Sequence, residues 1–289
     1  MATIISVDYD FLVPHRIYQK IELPDGEKVP GIMIYDWTMG EGGNTMLEMV
    51  KWETRALNFK LWGLDIQEEM KLTPDPLDFI ASVSGHVGGN YVPAYNADSH
   101  AWGAILAKDY SRHLGPLDVV NFDAHHDLGY FGGGYGEKLK TLTIDDVDCG
   151  NWALWALMQG HIQNYTLVYP DWLGTVEMPE ARLRELEKAF PGQISVTTWK
   201  EFLAGDEIDD LEVAFFCRSS GWVPPWLDGG FQTLLDEWGY VECLDCAHGL
   251  MCSAYDSCKA REWDWRIVQE RLDEREAQVK LLTGRLKIG

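Results

Sequence analysis

The chain's first apolar run, "TIISVDYDFLV", is rich in β-branched residues and breaks at Asp8-Tyr9-Asp10. A short apolar run closed by polar residues predicts a buried strand, here over residues 2–12. The same pattern recurs in "PLDVVNFDA" (116–124), "NYTLVYPDW" (164–172), "QISVTTW" (193–199) and "LEVAFFCRSSGWVPP" (211–225). "VPGIMIYDW" (29–37) and "GGNYVPAYNADS" (88–99) read as two further strands. Between these runs apolar residues return every three to four positions, the period of a helix with one buried face. Helices are predicted over 45–63 behind Asn44 as N-cap, 100–115, 152–162 and 179–192, with a charged one over 264–285. Residues 129–148 are glycine-rich and then polar, and predict a long loop of the kind that often carries function. Strands alternate with helices, and no repeat or linker divides the chain. The expectation is one α/β domain over 1–289, with a mainly parallel sheet covered on both faces.

Composition narrows the partners. A net charge of −22 argues against nucleic acid, whose phosphates need Lys and Arg. It suits a cationic partner or metal ions, and it also simply maintains solubility. No apolar stretch is long enough to span a bilayer, so no membrane partner is expected. The N-terminal residues lack the basic segment of a signal peptide, which points to a cytoplasmic protein. In that compartment a disulfide framework is not expected. Cys243, Cys246, His248, Cys252 and Cys258 lie close together, but their spacing fits no standard zinc module, and buried thiols are the plainer reading.

The candidate chemistry sits where apolar runs end. In "VVNFDAHHDLGY", Asp123, His125 and Asp127 occupy alternate positions and in extended chain share one face. At the carboxyl edge of a parallel sheet, where open α/β folds bind ligands, two carboxylates and an imidazole suit a divalent metal. The alternative is a capped strand end with incidental histidines. His126 should point to the opposite face. "YNADSHAWGAIL" brings His100 to a second strand end, where Asp98 or Ser99 would also serve as a helix cap. Asp8 and Asp10 form a third alternating pair, which could equally be exposed aspartates. Together these residues give four carboxylates and two imidazoles, the complement expected of a two-metal site.

At these residues the sequence resembles the arginase-like ureohydrolases, which share a three-layer α/β/α fold with the histone deacetylases. "NFDAHHD" is similar to that superfamily's D-A-H-x-D motif, and "ADSHAWGAI" to its G-D-H-S segment. "CGNWALWAL" and "FCRSSGWVPP" resemble segments of the peptide-arginase branch, whose members convert arginine to ornithine within a ribosomal precursor peptide. The superfamily's D-x-D motif normally lies late in the chain. Here the late strand "EVAFFCRSSGW" has Cys217 and Ser219 but no acidic pair, so a circularly permuted order is expected, with Asp8 and Asp10 as the missing ligands. Asp146 and Asp148 are the competing pair.

The resemblance implies two Mn2+ ions. His100, Asp123, Asp127 and Asp8 would hold one; Asp123, His125, Asp8 and Asp10 would hold the other. Asp127 would relay the proton of the attacking hydroxide. An arginine-containing precursor peptide would be hydrolysed to its ornithine form and urea. Glu53, Glu41 and Asp36 are the candidates for a guanidinium-binding carboxylate, with Glu53 also readable as a solvated helix residue. The arginase histidine that reads the free amino acid is missing after Gly150-Asn151, which favours a peptide substrate near Asn151. Trp102, Trp152, Trp155, Trp222 and Trp226 could line its groove or belong to the core. Two other readings stand: a mononuclear zinc amidohydrolase such as a deacetylase, and a non-catalytic metal- and peptide-binding protein on the same fold.

Overall fold

The computed structural model describes residues 2–14, 45–61, 64–87, 92–130, 141–174, 180–205, 208–247 and 265–286. Seven strands form one sheet: β1 (Thr3–Asp8), β2 (Ala94–Ala97), β3 (Leu117–Phe122), β4 (Ile162–Tyr169), β5 (Ile194–Thr198), β6 (Leu211–Cys217) and β7 (Val241–Cys243). Their order is β5-β4-β3-β1-β6-β2-β7, and every pairing is parallel. All carboxyl ends therefore lie along one edge. The helices are α1 (Thr45–Leu61), α2 (Ile66–Glu69), α3 (Pro76–His86), α4 (Trp102–Leu114), α5 (Trp152–Met158), α6 (Glu180–Ala189), α7 (Trp199–Leu203), α8 (Asp228–Trp238), α9 (Leu244–Ala247) and α10 (Trp265–Leu286).

Two apolar clusters sandwich the sheet, as the three-layer expectation requires. Ile5 and Val7 of β1, with Phe122 and Phe216, pack under α1, α3, α7, α8 and α10 through Trp52, Phe79, Trp199, Phe231 and Leu272. Ile4, Val119 and Val213 face the other way, against Ala104 of α4, Leu154 of α5 and Leu186 of α6. Side chains alternate across a strand, so the residues that continue this second face towards the carboxyl edge are Ser6 and Asp8 on β1 and Asn121 and Asp123 on β3. The strand register sets Ser6 beside Asn121 and Asp8 beside Cys217. Among the described residues no helix is long and apolar enough to cross a membrane.

Some elements differ from the sequence pattern. The strand expected over 211–225 stops at Cys217, because Ser219 takes a left-handed backbone (φ 56) and the chain turns through Pro224-Pro225 into α8. The strand expected from residue 88 is described only over Ala94–Ala97. α3, capped by Asp75 with Pro76 in its first turn, has clear start signals that the strand-centred reading passed over. The expected strand at 29–37, the Asn44 cap and most of the cysteine cluster fall outside the described residues.

Glu53 requires a correction. It is not solvated: it is buried in α1, and its two oxygens take Arg271 (2.6 Å) and Arg275 (2.8 Å) of α10. It does bind guanidinium groups, but they are the chain's own. Glu53 is the buried member; Arg271 and Arg275 are 48% and 37% exposed, so removing Glu53 loosens the α10 contact without burying unpaired charge. Glu53→Ala is expected to make α10 the first site of limited proteolysis while the sheet stays intact by circular dichroism.

Candidate metal centre

The adjacent ends of β1 and β3, with that of β2 across β6, deliver the polar cluster. β1 runs into a 3-10 turn over Tyr9–Leu12, started by Asp8, whose Oδ1 accepts the Asp10 backbone N–H at 3.1 Å. This turn folds Asp10 back beside Asp8. After β3, Asp123 Oδ1 accepts the His125 N–H (2.7 Å), and Asp10 Oδ1 accepts the Ala124 N–H (3.3 Å). Asp127 has φ 51, an uncommon left-handed conformation for a residue with a Cβ, of the kind that collects at functional sites. His100 comes from the turn between β2 and α4.

The six residues expected from the sequence meet here. His100 Nδ1 lies 2.9 Å from Asp127, 3.2 Å from Asp8 and 3.2 Å from Asp123. His125 Nδ1 lies 2.7 Å from Asp10 and 3.6 Å from Asp123. Asp123 thus joins the two histidine groups. Asp8, Asp10, Asp123 and Asp127 are all at most 4% exposed. Ser6 Oγ is 2.6 Å from His100 Nε2, so the nitrogen facing the carboxylates is Nδ1. The Trp152 indole N–H donates to Asp127 at 2.5 Å, and the ring packs on His100. That approach needs Gly103 on α4, where a Cβ would stand 2.7 Å from the indole.

The donor chemistry fits divalent cations. Among the described residues the cationic partners of these four carboxylates are the two imidazoles, so full ionisation leaves four negative charges against at most two positive. Such an excess is costly to bury. Burial, reinforced by Asp10 and Asp123, pushes the Asp8 carboxyl up to about 7. Burial likewise raises Asp10 to about 6 against the opposing pull of His125, and raises Asp127 well above the carboxylate range. Burial also acts to raise Asp123, but the hydrogen bonds from both histidines win and hold it low. Burial opposes charge on His100, yet its facing carboxylates, Asp127 first, raise it well above an ordinary histidine. Three groups of donor atoms could hold a metal ion: Asp10-Asp123-His125, His100-Asp123-Asp127 and Asp8-His100-Cys217.

The shifts set a sign for pH. The raised carboxyls favour the folded state while protonated, and that contribution is lost as pH rises from about 4 through their folded values. His100 adds loss in the same direction above its unfolded value. Asp123 acts only at lower pH. A bound cation replaces the protons. The gap in Tm between manganese-loaded and chelator-treated protein is therefore expected to widen as pH is raised from about 5 to about 8.

Other candidates lie elsewhere. Asn151 is buried, but its amide is used within its own turn, accepting from Asp148 N and donating to Asp146 O, each at 3.0 Å. Asp146 caps Thr143, and both Asp146 and Asp148 are exposed, so the competing acidic pair does not join the cluster. Glu41 and Asp36 lie outside the described residues. His126 points away, as expected, stacked on Tyr130 with Nδ1 accepting from Leu128 N; burial lowers it to about 3. Of the tryptophans, Trp152 and Trp155 are core and Trp102 donates to Asp245. Trp226 packs edge-on against Trp52, and Trp222, half-buried, stands over the His125 ring at 4.3 Å.

A second buried polar group adjoins the cluster: Arg218, which follows an apolar strand and could from sequence face the pocket, instead has carboxylate partners that the sequence does not indicate. Arg218 is held by Asp228 (2.8 Å), Asp98 (3.1 Å) and Glu48 (2.7 Å). Ser220 also donates to Asp98 (3.1 Å), and Asp245 accepts the Asp98 N–H (2.9 Å). Asp98 stands two residues before His100, so these bonds fix the turn that presents it.

No protein-family model, no curated protein and no solved structure matches the chain.

Proposed function

We propose that this protein is a binuclear metal-dependent hydrolase of the arginase-like ureohydrolase class, converting peptidyl-arginine and water to peptidyl-ornithine and urea. The observation that carries the reading is the convergence of two histidine Nδ1 atoms and four aspartates on one sheet edge, with Asp123 shared between them. His100, Asp123, Asp127 and Asp8 would hold one ion, and Asp123, His125, Asp8 and Asp10 the other, in the manganese class expected for hard oxygen donors. The ions, when bound, supply a water acidified enough to attack near neutral pH and offset the carboxylate charge.

The chain's residues do the rest. Asp127, its orientation set by the Trp152 N–H, would accept the proton of the attacking water and pass it to the departing amine. The remaining carboxylates create a negative field that favours a cationic guanidinium over neutral amides. The N-terminal position of the β1 pair, flanked by β3 and β6, supports a permuted order relative to the superfamily. A peptide substrate is supported by the sequence, which lacks the arginase histidine after Gly150-Asn151.

The test is urea release by the manganese-loaded full chain from an arginyl peptide and from free arginine, with the peptide product checked by mass. Turnover of the peptide in clear preference to arginine is expected. Equal turnover removes the peptide reading; deacylation without urea would favour the zinc amidohydrolase. Trp152→Phe, which deletes the N–H to Asp127 but keeps the ring, is expected to lower kcat about 10–100-fold with KM little changed.

A further inference from the structure

Cys217 lies beside the cluster, and the proposed reaction does not use its chemistry. It ends β6, fully buried, in register with Asp8 on one side and Ala97 on the other. Its Sγ meets Asp98 O at 3.6 Å, at the start of the turn that carries His100. Sγ, a nitrogen of His100 and an oxygen of Asp8 lie within 4.8 Å of one another. The two halves of the centre therefore differ in softness. Around His125 the close donors are two carboxylates and an imidazole; around His100 a sulfur is added. Thiolate ligands select softer divalent ions, whereas carboxylate-rich sites accept manganese.

We propose that Cys217 is a metal ligand with Asp8 and His100, so that the His100 half takes a thiophilic divalent cation of the zinc or cobalt kind while the His125 half keeps a harder ion. Binding exchanges the thiol proton, now directed at Asp98 O, for a sulfur–metal bond and releases that proton to solvent. The inference rests on the two-metal reading of the site but not on the identity of the substrate.

Cobalt provides a readout that does not depend on activity. The metal-free full chain is titrated with Co2+ alone, and the near-ultraviolet thiolate-to-cobalt charge-transfer band is followed beside the visible d–d bands. The expected result is a charge-transfer band that Cys217→Ser and Cys217→Ala both lose while their d–d bands remain. Cobalt binding by the wild-type chain without that band overturns the proposal, and so does a band that survives both substitutions, which would assign it to another cysteine. Absence of the band from the wild-type spectrum overturns the proposal even if the variants fold poorly. Urea release by manganese-loaded protein is scored separately: release without a cobalt band defeats only the sulfur ligand, and a band without release defeats only the ureohydrolase reading.

Discussion

Asp123→Asn is expected to abolish urea release, by at least about 10³-fold, and to leave the protein folded. Asp123 is the carboxylate approached by both His100 and His125, at 3.2 and 3.6 Å, so it is the position where one change reaches both halves of the centre. An amide is nearly isosteric. It can still accept the His125 N–H and occupy the same space beside Asn121, which now donates to Asp123 at 3.1 Å. What it cannot supply is the charge that holds a cation and the two imidazoles together. Circular dichroism should match the wild type, manganese should no longer raise Tm, and kcat should fall to background. A variant that binds metal normally and turns over would remove Asp123 from the centre.

Arg218→Met is expected to give the largest loss of stability. The guanidinium is buried and meets three carboxylates from three other parts of the chain: Glu48 on α1, Asp98 after β2 and Asp228 at the start of α8. Burial disfavours its charge, but Asp228, Glu48 and Asp98 together hold it protonated. Methionine fills similar volume and leaves three acids facing one another without a counter-charge. Stranding buried charge in this way costs about 3–5 kcal/mol. In a chain of this length that is a fall in Tm of roughly 5–8 °C. Lysine should rescue poorly, since a point charge on a flexible stem does not reproduce a planar fork that meets three acceptors. Adding Asp228→Asn to Arg218→Met should recover part of the loss. Thermal unfolding of the four proteins checks the ordering; unchanged stability in Arg218→Met would mean that the carboxylates are hydrated rather than buried.

The two predictions mark different degrees of legibility. Asp8, Asp10, Asp123, Asp127, His100 and His125 could be read because strand chemistry is local. Apolar runs that end in Asp and His deliver them to the carboxyl edge of a parallel sheet, but turns rather than alternation complete the site: Asp10 lies in a 3-10 turn and Asp127 has a left-handed backbone. The resemblance suggests that Asp8 and Asp10 take the place of the late acidic pair, but the strand order that sets β1 between β3 and β6 is not legible in the sequence. The acids around Arg218 could not be read, because Glu48, Asp98 and Asp228 lie on three elements whose packing no local pattern encodes. Glu53 misled for the same reason: a carboxylate on an amphipathic helix gives no sign of whether a catalytic edge or a docking helix lies opposite. Trp152 sits in "WALWAL", where every residue looks like core, and its bond to Asp127 depends on the close approach permitted by Gly103. One signal for Ser6 was available. A lone hydroxyl in an apolar strand, two residues before Asp8, has to find a buried partner, and it finds His100.

The most direct measurement is metal content per chain by elemental analysis, after expression with manganese and exhaustive dialysis, for the wild type and Asp10→Asn. The account predicts about two ions per chain in the wild type and about one in the variant, because Asp10 belongs to the His125 half alone. A single ion indifferent to Asp10, or none, would contradict the binuclear centre and with it the proposed hydrolysis.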